Sequence, residues 1–103
     1  ENLKGVVDAI RVVKGTATAL VKNTGNVHFK ITTVTVKGKT ADGREVFSRE
    51  IQGWYLLAGA AREYSATIPE DVCSRLEQIQ FDIKAEELTL SGAYPVHKEM
   101  CLP

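Results

Sequence analysis

The chain has 103 residues, of which 44% are hydrophobic and 25% are charged, and these proportions are typical of one compact domain. Thirteen basic residues balance thirteen acidic ones, so the chain lacks the basic surplus that attracts nucleic acid or an anionic membrane. The apolar run from Trp54 to Ala61 is far shorter than the roughly 20 residues that cross a bilayer. We therefore expect no nucleic-acid partner and no membrane insertion.

The start of the chain carries no charged-then-apolar signal segment, so we interpret Glu1 as the start of a mature or excised piece of a longer protein. The chain also holds only two histidines and two cysteines. Nucleophiles, bases and metal ligands are therefore scarce, and the composition favours a non-enzymatic domain that needs no cofactor.

Apolar residues recur at every second position in most of the chain, which is the period of a strand with one buried face. In the first part of the chain, three predicted strands have the inward residues Val6, Ile10 and Val12, then Ala17, Ala19 and Val21, then Val27, Phe29 and Ile31. Asp8 interrupts the first of them, and Lys14-Gly15 joins the first two. The inward residues of the third strand change from odd positions to even ones, Val34 and Val36, near Thr32-Thr33. This change predicts a bulge or a change of sheet.

The second part of the chain continues this pattern. Asp42-Gly43 predicts a tight turn into a strand over residues 45–51. Further strands have the inward residues Tyr64, Ala66 and Ile68, then Ile79, Phe81, Ile83 and Ala85, and a last strand begins at Leu88 and Leu90 and ends around Tyr94-Pro95. A single short helical turn is predicted from Pro69 to Leu76. The whole predicts an all-β, immunoglobulin-like sandwich of about seven strands and one helical turn, spanning residues 1–103 as one domain.

The two cysteines, Cys73 and Cys101, are predicted to form a disulfide. In a sandwich, the connection before the sixth strand and the end of the seventh strand lie at the same pole of the domain, so the two sulfurs can meet. A disulfide would indicate an oxidising compartment, periplasmic or extracellular. The alternative is a pair of free thiols.

A metal site and a catalytic site are both disfavoured by the sequence. His97, Cys101, Cys73 and His28 could supply ligands, but they lack the paired spacing of zinc sites. The sequence has no Gly-x-Ser-x-Gly elbow and no phosphate-binding glycine loop. We therefore predict no catalytic, metal-binding or cofactor-binding residues.

The segment from Trp54 to Leu57 is the most apolar stretch whose exposure the sequence leaves open. We predict that it fills the core where the chain crosses between sheets, and the alternative is a patch that binds a partner.

The turn Asn23-Thr24-Gly25-Asn26 combines residues that tolerate left-handed backbone and bond their own turn. Residues 19–29 (ALVKNTGNVHF), which contain it, resemble the strand, Asn-rich turn and strand near the start of the second domain of periplasmic pilus-assembly chaperones. Residues 57–69 (LAGAAREYSATIP) are also similar to a segment of that family. On this resemblance, the chain is identified as the C-terminal domain of a two-domain chaperone of the chaperone–usher pathway.

The resemblance implies a periplasmic domain that supports the folding of pilin subunits and their delivery to an outer-membrane usher. In that family the first domain donates an edge strand that completes the sandwich of the pilin subunit, and it supplies most of the subunit-binding residues. None of these residues therefore maps onto this chain. Pilins and the usher would then be partners of the full-length protein. The alternative is a structural or adhesive immunoglobulin-like module of a bacterial cell-envelope protein, and a third possibility is a carbohydrate- or protein-binding accessory domain of an enzyme.

Overall fold

The computed structural model describes all 103 residues and contains eight strands and two short helices. The strands are Gly5–Val13 (β1), Thr16–Asn23 (β2), Phe29–Lys39 (β3), Glu45–Gln52 (β4), Tyr55–Leu56 (β5), Ala61–Thr67 (β6), Gln78–Ala85 (β7) and Thr89–Pro95 (β8). The helices are Glu70–Cys73 (α1) and a 3₁₀ helix, Lys98–Cys101. Neither helix has the length or the apolar stretch that would allow it to cross a lipid bilayer.

Two antiparallel sheets form a sandwich, which confirms the predicted fold class. The smaller sheet has the order β1-β2-β6, and the larger one has the order β4-β3-β7-β8, with β5 added at the start of β3. The structure has one strand more than the seven predicted. The additional strand is β5, which is only two residues long.

The core lies between the two sheets and is built from the predicted alternation. The four inward residues of β7, Ile79, Phe81, Ile83 and Ala85, are all buried. They face the smaller sheet, whose buried residues include Ala17, Ala19, Val21, Tyr64 and Ala66. Burying these alternate side chains, at about 25 cal/mol for each Å² of apolar surface, supplies the main driving force for this fold.

Two local predictions about the backbone are confirmed. The register of β3 shifts between Ile31 and Thr33, which is the bulge that the parity change indicated. Lys14 and Gly15 both have positive φ angles, 51° and 76°, as a two-residue type I′ hairpin turn requires.

The predicted inward face of β1 is partly wrong. Val12 is buried as expected, but Val6 is exposed and Val7 packs against the core instead. The cause is a bulge between Asp8 and Arg11, where Ala9 adopts a φ of 50°. A bulge adds one residue to one strand and so reverses the side-chain parity on its far side.

The strand β4 lies at the free edge of the larger sheet, and none of its eight residues is buried. It pairs with β3 alone, and its apolar residues Val46, Phe47 and Ile51 are half-buried against the core. The outer face of the larger sheet points away from the smaller sheet, and a groove on it is lined by residues of all four neighbouring strands.

Candidate functional site

The turn at Asn23 has a structural role that its sequence only partly indicated. Asn23 is 2% exposed, and its Nδ2 donates hydrogen bonds of 2.9 Å to the carbonyl oxygens of Val27 and Leu56. Its Oδ1 accepts a bond of 3.0 Å from the Gly25 N–H. The buried side chain thus joins the end of β2 to β5 as well as closing its own turn.

The same turn binds the N-terminal segment of the chain. Asn26 Oδ1 accepts a 2.7 Å hydrogen bond from the Asn2 N–H, and the Asn26 N–H donates to the Asn2 carbonyl oxygen at 2.9 Å. Gly25 lies so close to this segment that a Cβ atom would collide with Asn2. The turn therefore has a structural role, because it anchors the N-terminal segment to the end of β2.

The predicted disulfide is present between Cys73 and Cys101, whose Cα atoms are 5.8 Å apart. It links α1 to the 3₁₀ helix, and both cysteines are buried. The Gly15 N–H donates a 2.9 Å hydrogen bond to the Met100 carbonyl oxygen. The C-terminal segment is thereby held against the β1–β2 turn.

The four side chains considered as metal ligands are not brought together. His28 lies beside Tyr55, next to the turn that follows β2, whereas Cys101 lies beside the turn that precedes β2. Both thiols are consumed by the disulfide. No group of three or more His, Cys, Asp or Glu side chains lies where it could hold a metal ion.

The prediction that Trp54 to Leu57 fills the core is wrong for three of the four residues. Leu56 is buried, but Trp54, Tyr55 and Leu57 are 57%, 45% and 66% exposed. The reason is that this segment forms the two-residue strand β5, in which Leu56 pairs with Phe29 and points inward. Tyr55 and Leu57 then point outward, since successive strand residues face opposite sides, whereas Trp54 precedes the strand and is not part of its alternation.

The exposed residues form an aromatic patch, defined here as Trp54, Tyr55 and Leu57. The Trp54 and Tyr55 rings meet edge to face, with centroids 5.2 Å apart and planes at 82°. The Lys30 ammonium lies 5.5 Å from the centroid of each ring, a distance at which cations are attracted to aromatic faces. Sequence reasoning missed this patch, although the unbroken run of large apolar residues could have indicated it.

A hydroxyl-rich groove crosses the open face of the larger sheet and has a volume of about 840 Å³. Its hydroxyl groups come from Thr32, Thr33 and Thr35 on β3 and from Thr89 and Ser91 on β8. Only two of its eleven lining residues are apolar. The lining of the groove is therefore mostly polar.

An ion pair lies inside this groove. Lys37 Nζ is 3.1 Å from Asp82 Oδ2, and Asp82 Oδ1 accepts hydrogen bonds of 2.8 Å from Gln80 and 2.9 Å from Ser91. Partial burial raises the pKa of Asp82, but the bonds from Gln80, Ser91 and Lys37 outweigh it, and the net pKa lies below the usual value. The pKa of Lys37 is raised, mainly by its hydrogen bond to Asp82.

The lowered pKa of Asp82 predicts a loss of stability in acid. The pKa of this carboxyl is lower in the folded state than in the unfolded state, where it is about 4. Such a group stabilises the fold at pH values above the unfolded-state pKa. The stabilisation is lost as the pH falls through the folded-state pKa. We expect the difference in free energy of unfolding between the wild type and Asp82→Asn to shrink below about pH 4. Urea unfolding of both proteins at a series of pH values from 7 to 2 measures this difference in free energy. A constant difference over this range would contradict the prediction.

The aromatic patch and the groove belong to one continuous surface. The Ile31 N–H donates to the Trp54 carbonyl oxygen at 2.9 Å, and the Gly53 N–H donates to the Thr32 carbonyl oxygen at 3.3 Å. Residues 53–54 thus run alongside the end of the groove where Thr32 lies. We name the aromatic patch, Lys30 and the groove together the binding face.

Comparison with known proteins gives no family for this chain. No family model matches the chain, and neither does any curated protein. Among solved structures, the chain is similar to the ligand-binding region of serine-glutamate repeat protein A (SgrA) of Enterococcus faecium. The identity is 15%, 90% of each chain is covered, and the TM-score is 0.49. A likeness at this level assigns no function to the present chain.

The identification as the C-terminal domain of a pilus-assembly chaperone is wrong. No family model matches the chain, so nothing beyond two short motifs connects it to that family. The residues that carried the resemblance have structural duties in this fold: Asn23 closes and anchors a turn, and Tyr64, Ala66 and Ile68 fill the core. Such motifs follow from sandwich geometry and do not define a family.

Proposed function

We propose that this chain is an adhesive immunoglobulin-like module of a bacterial cell-envelope protein, which acts by binding and not by catalysis. The observation that carries the proposal is the aromatic patch, where three large apolar side chains within four residues of the chain are exposed. Exposed apolar patches on soluble domains mark interaction surfaces more often than isolated apolar residues do.

The rigidity of the patch supports a binding role. Trp54 and Tyr55 are held by backbone bonds to β3, and the Leu56 carbonyl between Tyr55 and Leu57 is bonded to the buried Asn23. A surface that is already ordered loses little conformational entropy when a partner binds. Aromatic side chains add large contact areas and are enriched among the residues that dominate binding energy.

The disulfide supports a location outside the cytoplasm. Structural disulfides persist in oxidising environments and are rare where thiols are kept reduced. Cys73 and Cys101 are both buried and bonded, so the bond is part of the folded architecture. Export to the cell envelope fits this chemistry.

Adhesion of domain-coated beads to an epithelial cell monolayer tests the proposal. We expect the wild-type domain to retain beads under wash flow, and the double variant Trp54→Ala, Tyr55→Ala to retain at least about tenfold fewer, because truncating two such anchors removes about 2 kcal/mol or more. Decellularised matrix serves as a second coated surface in the same assay.

The matched control is Val13→Ala, since Val13 is also apolar and 54% exposed but lies beside the β1–β2 turn. This variant should retain beads as the wild type does. Retention of wild-type beads no better than that of uncoated beads on both surfaces would overturn the adhesive role and favour a purely structural module.

A further inference from the structure

We infer that the binding face takes a linear, uncharged oligosaccharide of β-linked sugars, with one ring packed on Trp54 and Tyr55 and the following rings over the threonines of β3. This ligand class rests on the proposed adhesive function, because it concerns the same surface. It is carried by the juxtaposition of an exposed aromatic pair with a shallow polar groove in which positive and negative charges cancel.

The aromatic pair lies on the same side of the sheet as the groove. Tyr55 is paired with Lys30 across the two strands β3 and β5, and paired residues project to the same side of a sheet. Lys30 and Thr32 are two residues apart on β3, so they share this side, and Thr32 lines the groove. The edge-to-face contact then places the Trp54 ring beside Tyr55, with centroids 5.2 Å apart. A ligand on the aromatic pair can therefore extend into the groove.

An aromatic pair beside a polar groove matches the two-sided chemistry of a sugar. A sugar ring with equatorial hydroxyls has apolar C–H groups on its faces and hydroxyls around its rim. The C–H face packs on an aromatic ring, and the rim hydroxyls need hydrogen-bond partners close by. The outer face of the smaller sheet does not offer both, because the one aromatic residue of β1, β2 and β6 is Tyr64, which is buried.

The strand register arranges polar side chains in rows across the four strands of this face. Two neighbouring rows each take one polar side chain from β4, β3, β7 and β8, namely Glu50, Thr35, Asp82 and Ser91, and Gln52, Thr33, Lys84 and Thr89. Every one of these side chains can donate a hydrogen bond, accept one, or do both. Neighbouring strands lie about 4.8 Å apart, so the hydroxyls around one sugar ring find partners on adjacent strands.

The charges of the face cancel, which favours an uncharged ligand. Three lysines and three carboxylates lie on the face or beside it, namely Lys30, Lys37, Lys84, Glu50, Asp82 and Glu86. Lys37 and Asp82 neutralise each other directly at 3.1 Å, and the Glu86 N–H donates to the Lys30 carbonyl oxygen, so Glu86 follows β7 next to Lys30. Neither an anion nor a cation gains a net attraction here, whereas hydroxyl groups can bond to side chains of both signs.

The shape of the groove favours a ribbon-like chain. All eleven of its lining residues belong to strands, so no loop forms a wall and the groove is shallow. From Lys30 to Lys37, β3 provides a track of about 23 Å at the usual rise per strand residue. A β-linked glucose chain is an extended ribbon that lies flat on such a track over several rings, whereas an α-linked chain coils away from it. A protein partner fits the groove less well, because protein interfaces have an apolar centre and only two lining residues are apolar.

Fluorescence titration of the wild-type domain with cellohexaose tests this ligand class. Trp54 is the one tryptophan of the chain, so its emission reports directly on the binding face. We expect a saturable change with cellohexaose. Maltohexaose, an isomer of the same length in α linkage, should bind at least about tenfold more weakly, because it loses packing at the aromatic anchor or along the groove. Added salt should leave the Kd for cellohexaose within about twofold, because salt screens only charges.

Hydroxyl-deletion variants test the groove. Valine keeps the β-branched shape that suits a strand and removes the hydroxyl, so Thr33→Val with Thr35→Val should preserve the fold. The double variant should raise the Kd for cellohexaose about tenfold or more, because two hydrogen bonds to the ligand are lost. The matched control is Thr16→Val with Thr67→Val, two threonines paired across β2 and β6 of the smaller sheet, and its Kd should stay within about twofold of the wild type. Equal Kd values for the three proteins would overturn the inference.

Three further outcomes would also overturn it. These are no fluorescence change with cellohexaose, equal affinity for maltohexaose, and a Kd that rises steeply with added salt. If bead adhesion nevertheless depends on Trp54 and Tyr55, the adhesive function stands, the ligand class is wrong, and a protein surface becomes the favoured partner. If cellohexaose binds as expected but the beads do not adhere, the ligand class stands and the adhesive role is wrong.

Discussion

Replacing Cys73 and Cys101 together by alanine is expected to lower the free energy of unfolding by about 3.5 kcal/mol. The disulfide closes a loop between residues 28 positions apart, and chain-entropy arguments give this magnitude for a loop of that size. For a domain of this length the midpoint of thermal unfolding should fall by roughly 15–25 °C. Circular dichroism during a thermal ramp and urea unfolding monitored by Trp54 fluorescence measure the two quantities.

The control for this experiment is the wild type under reducing conditions. Dithiothreitol should move the wild-type midpoint towards that of the double variant and leave the variant unchanged. Hydrogen exchange adds a local readout, because the Gly15 N–H bonds to the Met100 carbonyl and should exchange faster once the C-terminal segment is released. Equal urea midpoints for oxidised wild type and variant would show that the bond contributes little.

Replacing Asn23 by alanine is expected to cost about 3 kcal/mol of stability. Three hydrogen bonds disappear, each with a net worth of about 1 kcal/mol, and the buried carbonyl groups of Val27 and Leu56 lose a donor. Chemical denaturation measures the loss directly. The effect is large because the side chain is buried and joins two separate segments.

Asn26→Ala is the matched comparison for Asn23→Ala. Asn26 belongs to the same turn and is also an asparagine, but it is exposed and its side chain accepts one hydrogen bond, from the Asn2 N–H. Its loss should cost about 1 kcal/mol. If both variants were destabilised equally, the cross-link to β5 would contribute nothing and the role assigned to Asn23 would be wrong.

Much of the fold could be predicted because local sequence and burial agree along most strands. The alternation in β7 predicts its four buried residues, and the positive φ angles at Lys14 and Gly15 follow from a two-residue hairpin. The disulfide followed from topology, since strand order brings the two cysteines to one pole. These features depend on short-range pattern or on connectivity alone.

The features that escaped prediction depend on tertiary packing. The bulge at Ala9 reverses the parity of β1, and the sequence marks the place only by the polar Asp8 at an inward position, since alanine has no special preference for a φ of 50°. Trp54 and Tyr55 are exposed because β5 consists of two residues and buries only Leu56. The groove exists because β4, β3, β7 and β8 pair side by side, which is a fact of strand pairing that hydrophobicity does not encode.

The candidate site was therefore less visible than the fold. Its hydroxyls and lysines come from β3, β7 and β8, which are distant in sequence, and each residue alone resembles ordinary solvated strand surface. The similarity of two short motifs suggested a pilus-assembly chaperone instead. The turn at Asn23 and the small residues after Leu57 serve the construction of the sandwich and do not identify a binding site. Only the three-dimensional arrangement brings the polar and aromatic groups together.

The anchoring of the two chain ends has a mechanical consequence. The N-terminal segment is bonded to the turn after β2, and the C-terminal segment is tied to the turn before β2, so the two attachment points lie at opposite ends of one strand in a domain 44 Å long. Tension applied between the termini would run parallel to the strands and load the β1–β2 hydrogen bonds in shear. Bonds loaded in shear must break together, so the geometry resists extension by fluid drag.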